Sequence, residues 1–546
     1  MQIKFRVGHE STAIWSFVVS GRSVIFQILL LSVSFLTAIA QTHFNPTTTL
    51  TAETGNNTSA ADNFSSQPNG NMTPGNVSKV PLQSLLYPGS TAKLYAHLVQ
   101  WFGYGDHVDV GYVSGDALQV QKQVADMISR GLDGAIIDWY GRGEQRKTFH
   151  AYDMGTQLLM REAEQHPGFS FAVMADAGAN KDCEHEHGCD PTENLIEDLN
   201  YAYRTYEQSP AYLKADDRPV VFFFGQDGHG INWRRVRTHV AGNPLFIFRN
   251  SGAFGKEASD GGFSWVSPSQ ADEKDPMSLN YLVNYYATAQ RHEPKFSLGT
   301  AYKGFDDSIA LWGEKRHIDQ QCGQTWLQSI AEANQFYSEK QQMLGIQAVT
   351  WNDYEEGTEF ETGISNCVKL TSWTRGASLF WNVKGNASTI DHFTVFISHD
   401  GENLMPIADL AADARSLNLG TFSLDKGDYT VYVKAVGKPS LSNAMSEGRR
   451  ITISSQAAAM NNAVPLDARL SVTSAPAPAS ITVTVGDGPF LPDQTVIDFG
   501  DGTVITGQVS TQHVYKLPGV YTVMITVTNG AGMRTTQTAA VNVTAP

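Results

Sequence analysis

The chain has 546 residues, more than a single domain holds, and the length suggests three or four units. A formal net charge of −16 with only 17% charged residues argues against nucleic acid or an anionic membrane surface as partner, and suits a protein that handles neutral substrates. The 41% hydrophobic content is enough for a sizeable core, and the 10 Trp and 20 Tyr could serve as sugar-stacking faces or as core.

At the N-terminus, Lys4, Arg6 and Arg22 precede an apolar run over residues 24–40 that ends Ala38-Ile39-Ala40, an A-x-A cleavage pattern before Gln41. Residues 1–40 read as a signal peptide, or as an uncleaved anchor, since the run is near the lower limit for a membrane span. In both readings the rest of the chain lies outside the cytoplasm, secreted or extracellular, with N-terminal membrane anchoring as the alternative. No later stretch is apolar and long enough to cross a bilayer, so no transmembrane partner is expected. Residues 41–84 are rich in Thr, Asn, Ser, Gly and Pro and read as a flexible linker, with N-x-[ST] sequons at Asn56, Asn57, Asn63, Asn71 and Asn76.

From residue 85 to 368 short apolar runs alternate with helix-like stretches. The runs are 93–102, 134–140, 169–175, 219–225, 244–249, 263–266, 296–302 and 346–351. Residues 116–130 carry Val120, Val124, Met127 and Ile128 at helical spacing with Gly131 as a stop, and residues 325–343 are again helical in pattern. Eight strand-like runs alternating with helices predict a (β/α)8 barrel. The fifth and sixth runs are close together, so the helix between them is short or missing.

The helical patches stop after Cys367. Residues 369–455 read as short alternating strands, among them Leu379-Phe380-Trp381, Phe393-Thr394-Val395-Phe396-Ile397 and Tyr429-Thr430-Val431-Tyr432-Val433. With the turn at Asp400-Gly401, these residues resemble a fibronectin type III module. Residues 466–546 contain Asp498-Phe499-Gly500-Asp501-Gly502-Thr503, then His513-Val514-Tyr515 and Pro518-Gly519-Val520-Tyr521-Thr522-Val523. This pair of motifs resembles a PKD (polycystic kidney disease) domain. Asp498 and Asp501 read as ordering a tight turn, with a calcium site as the alternative. The predicted fold is thus a (β/α)8 TIM barrel followed by two all-β, immunoglobulin-like sandwich domains.

Four cysteines suit an oxidising compartment and allow three pairings, of which Cys183–Cys189 and Cys322–Cys367 are favoured. The alternative for the first pair is a metal site with His185 and His187, although four ligands within seven residues depart from the two-knuckle spacing of structural zinc.

In such a barrel the catalytic residues gather at the C-terminal strand ends. The polar and aromatic residues in or just after the runs are His97, Trp101 and Tyr104; Asp138, Trp139 and Tyr140; Asp176; Gln226 and Asp227; Arg249 and Asn250; Trp265; Tyr302 and Lys303. The eighth run gives Asn352, Asp353, Tyr354, Glu355 and Glu356, with Glu359 and Glu361 beyond. Crowded carboxyls repel one another and raise at least one pKa, as glycoside hydrolysis by a protonated acid and an ionised partner requires. A solvated acidic loop is the bland alternative.

The segment Val349-Thr350-Trp351-Asn352-Asp353-Tyr354-Glu355-Glu356 resembles the W-N-D-Y-x-E motif of glycoside hydrolase family 71, the endo-α-1,3-glucanases. Ala96-His97, Phe169-Ser170-Phe171 with Asp176, Arg218-Pro219-Val220-Val221 and Gly262-Phe263-Ser264-Trp265 are similar to further segments of that family. The continuation Glu356-Gly357-Thr358 instead resembles family 99, the endo-α-mannosidases, whose pattern is W-N-E-W-x-E-G-T. Both resemblances imply Asp353 and Glu356 as the catalytic pair. The first implies inversion, with one carboxyl as acid and the other activating water; Glu356 is favoured as the acid and Asp353 as the base, with the reverse assignment as the alternative. Inverting carboxyls stand roughly 6.5–9.5 Å apart; if two residues on one loop cannot reach that, Asp176 or Asp138 would supply the base.

Asp138, His97, Trp101, Trp139, Tyr140, Trp265, Tyr302, Trp351, Asn352, Tyr354 and Glu359 are the candidate sugar contacts. Each has a plainer reading: a helix cap for Asp138 and Asp176, a core imidazole for His97, barrel packing for the aromatics. The expected partner is a polysaccharide, no cofactor is required, and the oligomeric state is not legible. A carbohydrate-binding or adhesion protein with an inactive barrel is the competing reading. A metal-dependent deacetylase or lyase would need a His/Asp set at strand ends.

Overall fold

The computed structural model describes residues 76–143, 146–184, 188–226, 229–401, 403–422, 424–453, 466–486, 494–528 and 534–545. The segment read as signal peptide or anchor, most of the segment read as linker with its sequons at Asn56, Asn57, Asn63 and Asn71, and His185, His187 and Asp227 lie outside these residues. Residues 76–84 are packed rather than free, because the few apolar side chains there, Val77 and Leu82, are buried.

Nine strands form the first sheet. One, Lys214–Ala215, is an antiparallel edge. The other eight are parallel: β1 (Lys93–Leu98), β2 (Gly134–Trp139), β3 (Ser170–Asp176), β4 (Arg218–Phe224), β5 (Leu245–Arg249), β6 (Gly261–Phe263), β7 (Phe296–Tyr302) and β8 (Gly345–Val349). Their order is sequential, and β8 pairs back onto β1 in the register Ala96↔Ala348, so the sheet closes into a barrel. Strands covered on both faces need continuous apolar runs rather than alternation, which is why the runs were visible in the sequence.

The helices α1 (Ala117–Ser129), α2 (Lys147–Ala163), α3 (Ala177–Asp182), α4 (Pro191–Thr205), α5 (Trp233–His239), α6 (Leu279–Arg291) and α7 (Gln324–Ala331) intervene. Asp116 caps α1 by accepting the Leu118 N–H at 2.7 Å, and Asp190 caps α4 through the Thr192 N–H at 2.8 Å. Between β5 and β6 only the 3-10 turn Ser251–Gly255 is present, as the short spacing predicted. The helix predicted over 325–343 is shorter than its pattern. It ends at Ala331 and passes into a 3-10 turn, Glu332–Gln335. There the Asn334 side chain accepts the Tyr87 N–H at 2.9 Å and donates to the Leu85 carbonyl at 2.9 Å, tying the chain to the segment before β1 instead of continuing the helix.

The first sandwich has a three-stranded sheet built on Lys369–Arg375, Ser378–Lys384 and Ser416–Asn418, and a second sheet centred on Ile390–Ser398 and Gly427–Gly437. Trp381, Phe393, Val395, Val431 and Val433 fill the space between them. Its residues 437–444 dock on the barrel. Leu441 belongs to the barrel core, and the Pro439 carbonyl accepts the Trp326 indole N–H at 3.0 Å. The second sandwich packs Ile481, Val483, Phe499, Tyr515 and Val523 between a three- and a five-stranded sheet. Its acidic motif is a turn: Asp498 accepts the Gly500 N–H, Asp501 accepts the Thr503 N–H, and His513 Nε2 lies 2.7 Å from Asp501. The structure pairs Cys183 with Cys189 and Cys322 with Cys367. Both thiols of the possible metal loop are thereby used.

Candidate active site

The strand ends converge on a cavity of about 140 Å³ at the C-terminal mouth of the barrel. Four carboxyls line it: Asp138 from β2, Asp176 from β3, and Asp353 and Glu356 from the turn after β8. Its walls are His97, Trp101, Tyr140, Phe224, Trp265 and Trp312. Strand alternation explains one sorting: Asp138 faces the cavity, while its neighbour Trp139 points outward.

The turn after β8 is built by its own polar groups. Asp353 Oδ1 accepts the N–H groups of both Glu355 and Glu356 at 3.0 Å. The Asp353 N–H donates to Thr350 Oγ1 at 2.8 Å, and the Thr358 N–H returns to the Asp353 carbonyl at 3.2 Å. Two acidic residues three apart in sequence are thus presented to one cavity. The remaining acids of the cluster are used differently. Buried Glu355 lies 2.7 Å from His107 Nδ1 and accepts the Val108 N–H at 3.2 Å, fastening the loop after β1, where His107 stacks on Trp101 with centroids 4.6 Å apart. Buried Glu361 accepts from Tyr112, Gln123, Trp351 and Tyr354.

Burial is the chief cause of the raised pKa of all four cavity carboxyls. Asp138 is pushed well above the usual carboxylate range, first by burial and then by Asp176, Asp353 and Glu356. Asp353 is likewise raised, by burial and Glu356, against the two backbone N–H groups it accepts. Glu356 is pushed up to about 7 by burial, with Arg316 and a hydrogen bond from Trp312 pulling the other way. Asp176 rises to about 6, opposed by the Gly178 N–H and Arg249. Four buried carboxyls that repel one another do not all ionise together, so their titrations are linked. Burial lowers His97 to about 3, which leaves a neutral imidazole held by Gln347 at 3.0 Å and by the edge of Trp265 at 4.7 Å.

A second groove of about 430 Å³ carries Lys303, Tyr354 and Glu359, with Lys303 Nζ 2.7 Å from Glu359. The hairpin that follows β7 borders both spaces, giving Phe305, Asp306 and Ile309 to the groove and Trp312 to the cavity.

Of the residues singled out in the sequence, the cavity gathers Asp138, Asp176, Asp353, Glu356, His97, Trp101, Tyr140 and Trp265, and the groove takes Tyr354 and Glu359. Asp176 also caps α3 through the Gly178 N–H at 2.6 Å, so its two readings coexist. Four candidates line neither space. Trp139 is buried against Tyr201 and donates to Asp153 at 2.9 Å. Trp351 lies under the Arg130 guanidinium and donates to Glu361. The Asn352 side chain bridges the backbone N–H and carbonyl of Val99. The Tyr302 hydroxyl donates to the Met277 and Ser278 carbonyls. Each points into packing or loop support. Phe224 and Trp312 were missed. Phe224 read as strand core, and Trp312 sits ten residues past the end of β7 (Tyr302), where only Trp312 itself, an indole in a charged loop, could have signalled it.

Fold and site together define a (β/α)8 barrel with an acidic, aromatic-walled cavity at its strand ends, followed by two β-sandwiches. Residues 492–544 match the family model of the PKD domain. No curated protein matches the chain. Among solved structures, the chain is similar to the GH99 endo-alpha-mannosidase from Bacteroides thetaiotaomicron, at 16% identity and a TM-score of 0.39, over 50% of this chain and 88% of that one. It is also similar to the PKD1 domain of Vibrio anguillarum Epp, at 25% identity and a TM-score of 0.13, over 16% of this chain and 98% of that one. A third likeness is to the fibronectin(III)-like modules of Clostridium thermocellum CbhA, at 13% identity and a TM-score of 0.15, over 32% and 94%.

Proposed function

We propose that this chain is a secreted glycoside hydrolase that cleaves α-linked polysaccharide, as an endo-α-1,3-glucanase. The observation that carries the reading is the convergence of four buried carboxyls in one aromatic-walled cavity at the barrel mouth. Glycosidic bonds are broken by carboxyls held in different protonation states, and aromatic faces suit the C–H faces of pyranose rings.

In the proposed reaction, Glu356 gives its proton to the glycosidic oxygen as the C1–O bond breaks. Water attacks C1 from the opposite face, and Asp353 takes the proton that water loses. The product is a hemiacetal of inverted configuration, and Asp353 then gives up its proton to solvent as Glu356 regains one. The pKa of about 7 at Glu356 suits an acid that is still protonated near neutrality. Asp138 and Asp176 are proposed to bind sugar hydroxyls. The domain division proposed is 85–368 for the hydrolase, 369–455 for the fibronectin-like module and 466–546 for the PKD domain, after a signal peptide over 1–40 and a linker over 41–84 whose last residues, 76–84, are packed down. Two disulfides support an extracytoplasmic location. Among the described residues no helix is long and apolar enough to cross a membrane.

The choice of glucan rests on the resemblance of Trp351-Asn352-Asp353-Tyr354 to family 71. Glu356-Gly357-Thr358 favours an endo-α-mannosidase as the second reading. The purified chain is to be assayed on insoluble α-1,3-glucan and on α-mannan. Soluble products from glucan alone support the first reading, products from mannan alone move the substrate to the second, and binding without release from either identifies a carbohydrate-binding protein.

A further inference from the structure

The hairpin between β7 and α7 carries large apolar side chains where solvent-facing loops normally carry polar ones. Leu311 is 91% exposed, Ile309 61% and Trp312 46%. Exposed apolar surface at the rim of a cavity marks a place where something binds. This hairpin is also held firmly. Its short strands Phe305–Asp306 and His317–Ile318 pair. Fully buried Asp307 accepts the backbone N–H groups of Glu314 and Arg316 at 3.1 and 2.7 Å and the Arg316 guanidinium at 2.8 Å. Gly313 sits so close to the Asp307 carbonyl that no Cβ would fit. At its base the Asp306 N–H donates to the Glu356 carbonyl at 2.8 Å.

Trp312 is where this rim meets the chemistry. It lines the cavity together with Glu356 and stands edge-on to His107 and Trp101 at 5.6 and 6.4 Å. One part of the indole is therefore fixed by aromatic neighbours, while nearly half of the residue remains open. An indole so placed presents a flat π-face, complementary to the C–H face of a pyranose ring.

We infer that Trp312 is the sugar-stacking residue of the subsite next to the scissile bond. This rests on the glycoside hydrolase reading of the cavity. The rigid hairpin holds the indole at the rim of the cavity that Glu356 also lines.

The test uses the full chain carrying Asp353→Asn, sedimented with insoluble α-1,3-glucan and α-mannan, alone and combined with Trp312→Ala or Trp312→Phe. The expected result is that Trp312→Ala weakens binding to the retained polysaccharide about tenfold or more, while Trp312→Phe, which keeps an aromatic face, stays within about threefold. Equal binding by all three overturns the inference and leaves the hydrolase reading standing. No binding by Asp353→Asn itself overturns the substrate reading and the inference with it.

Discussion

Asp353 and Glu356 are joined through the main chain: the N–H of Glu356 donates to Asp353 Oδ1 at 3.0 Å. The same oxygen takes the Glu355 N–H, so one carboxyl oxygen builds the turn while the side chain also lines the cavity. Two roles in one side chain mean that the choice of substitution decides what a mutant reports.

Asp353→Asn keeps an amide oxygen for both N–H groups and removes only the ionisable group. Its melting temperature should stay close to that of the unaltered chain while kcat falls by about 10²–10⁴-fold. Asp353→Ala leaves two backbone donors without their acceptor and should be less stable by about 1–3 kcal/mol. Differential scanning calorimetry beside a reducing-sugar assay separates the two. Full activity in Asp353→Asn would remove it from the chemistry.

Glu356, pushed up to about 7, must be protonated to act as acid. Activity should therefore fall as pH rises through about 7. Glu356→Gln should abolish that limb and lose about 10²–10⁴-fold on polysaccharide, but much less on an aryl α-glycoside whose leaving group needs no proton. An equal loss on both substrates would assign Glu356 the base role instead.

Asp138 has no hydrogen-bonding side chain among the described residues, and its pKa is raised well above 3.8 by burial and three neighbouring carboxyls. A carboxyl raised in the folded state holds its proton there while the unfolded chain has lost it. Stability is therefore undiminished below pH 3.8 and declines as pH rises towards the folded value. Asp138→Asn should match the unaltered chain at the acidic end and melt higher at pH 7–8, by about 2–4 °C for each kcal/mol relieved. A lower melting temperature at pH 8 would contradict this account of the cavity.

Glu361 is the structural acid of the same loop. It accepts from two tyrosines, a glutamine and an indole, and these come from the loop after β1, from α1 and from the turn after β8. Glu361→Gln replaces an acceptor oxygen by a donor and should cost about 1–3 kcal/mol in urea unfolding. The surviving folded fraction should keep its KM. A pH limb lost in Glu361→Gln, with stability unchanged, would mean that it takes part in the reaction.

The barrel was legible because each strand is covered on both faces, so its residues had to be apolar in a run, and Asp116 with Gly131 marked where α1 begins and ends. The acidic cluster after the eighth run was legible for a related reason: charged residues at the end of a buried strand are costly unless they face a cavity or each other. Strand direction alone placed Asp138, Asp176, Asp353 and Glu356 at the same end of the barrel.

What the sequence could not determine is which way each residue turns there. Trp139 and Trp351 read as candidate sugar contacts from their place at the strand ends, and only the packed structure turned one onto Tyr201 and the other under Arg130. Trp312 went the opposite way. Nothing local distinguishes it from an ordinary loop indole, and it reaches Glu356 only because Asp307, Arg316 and the Asp306–Glu356 backbone bond fold the hairpin over the cavity. Apolar runs and strand-end acids are properties of neighbours in the chain, and the sequence by itself determined them. The facing of an aromatic ring and the sharing of protons among four carboxyls are properties of neighbours in space, which only barrel closure decides.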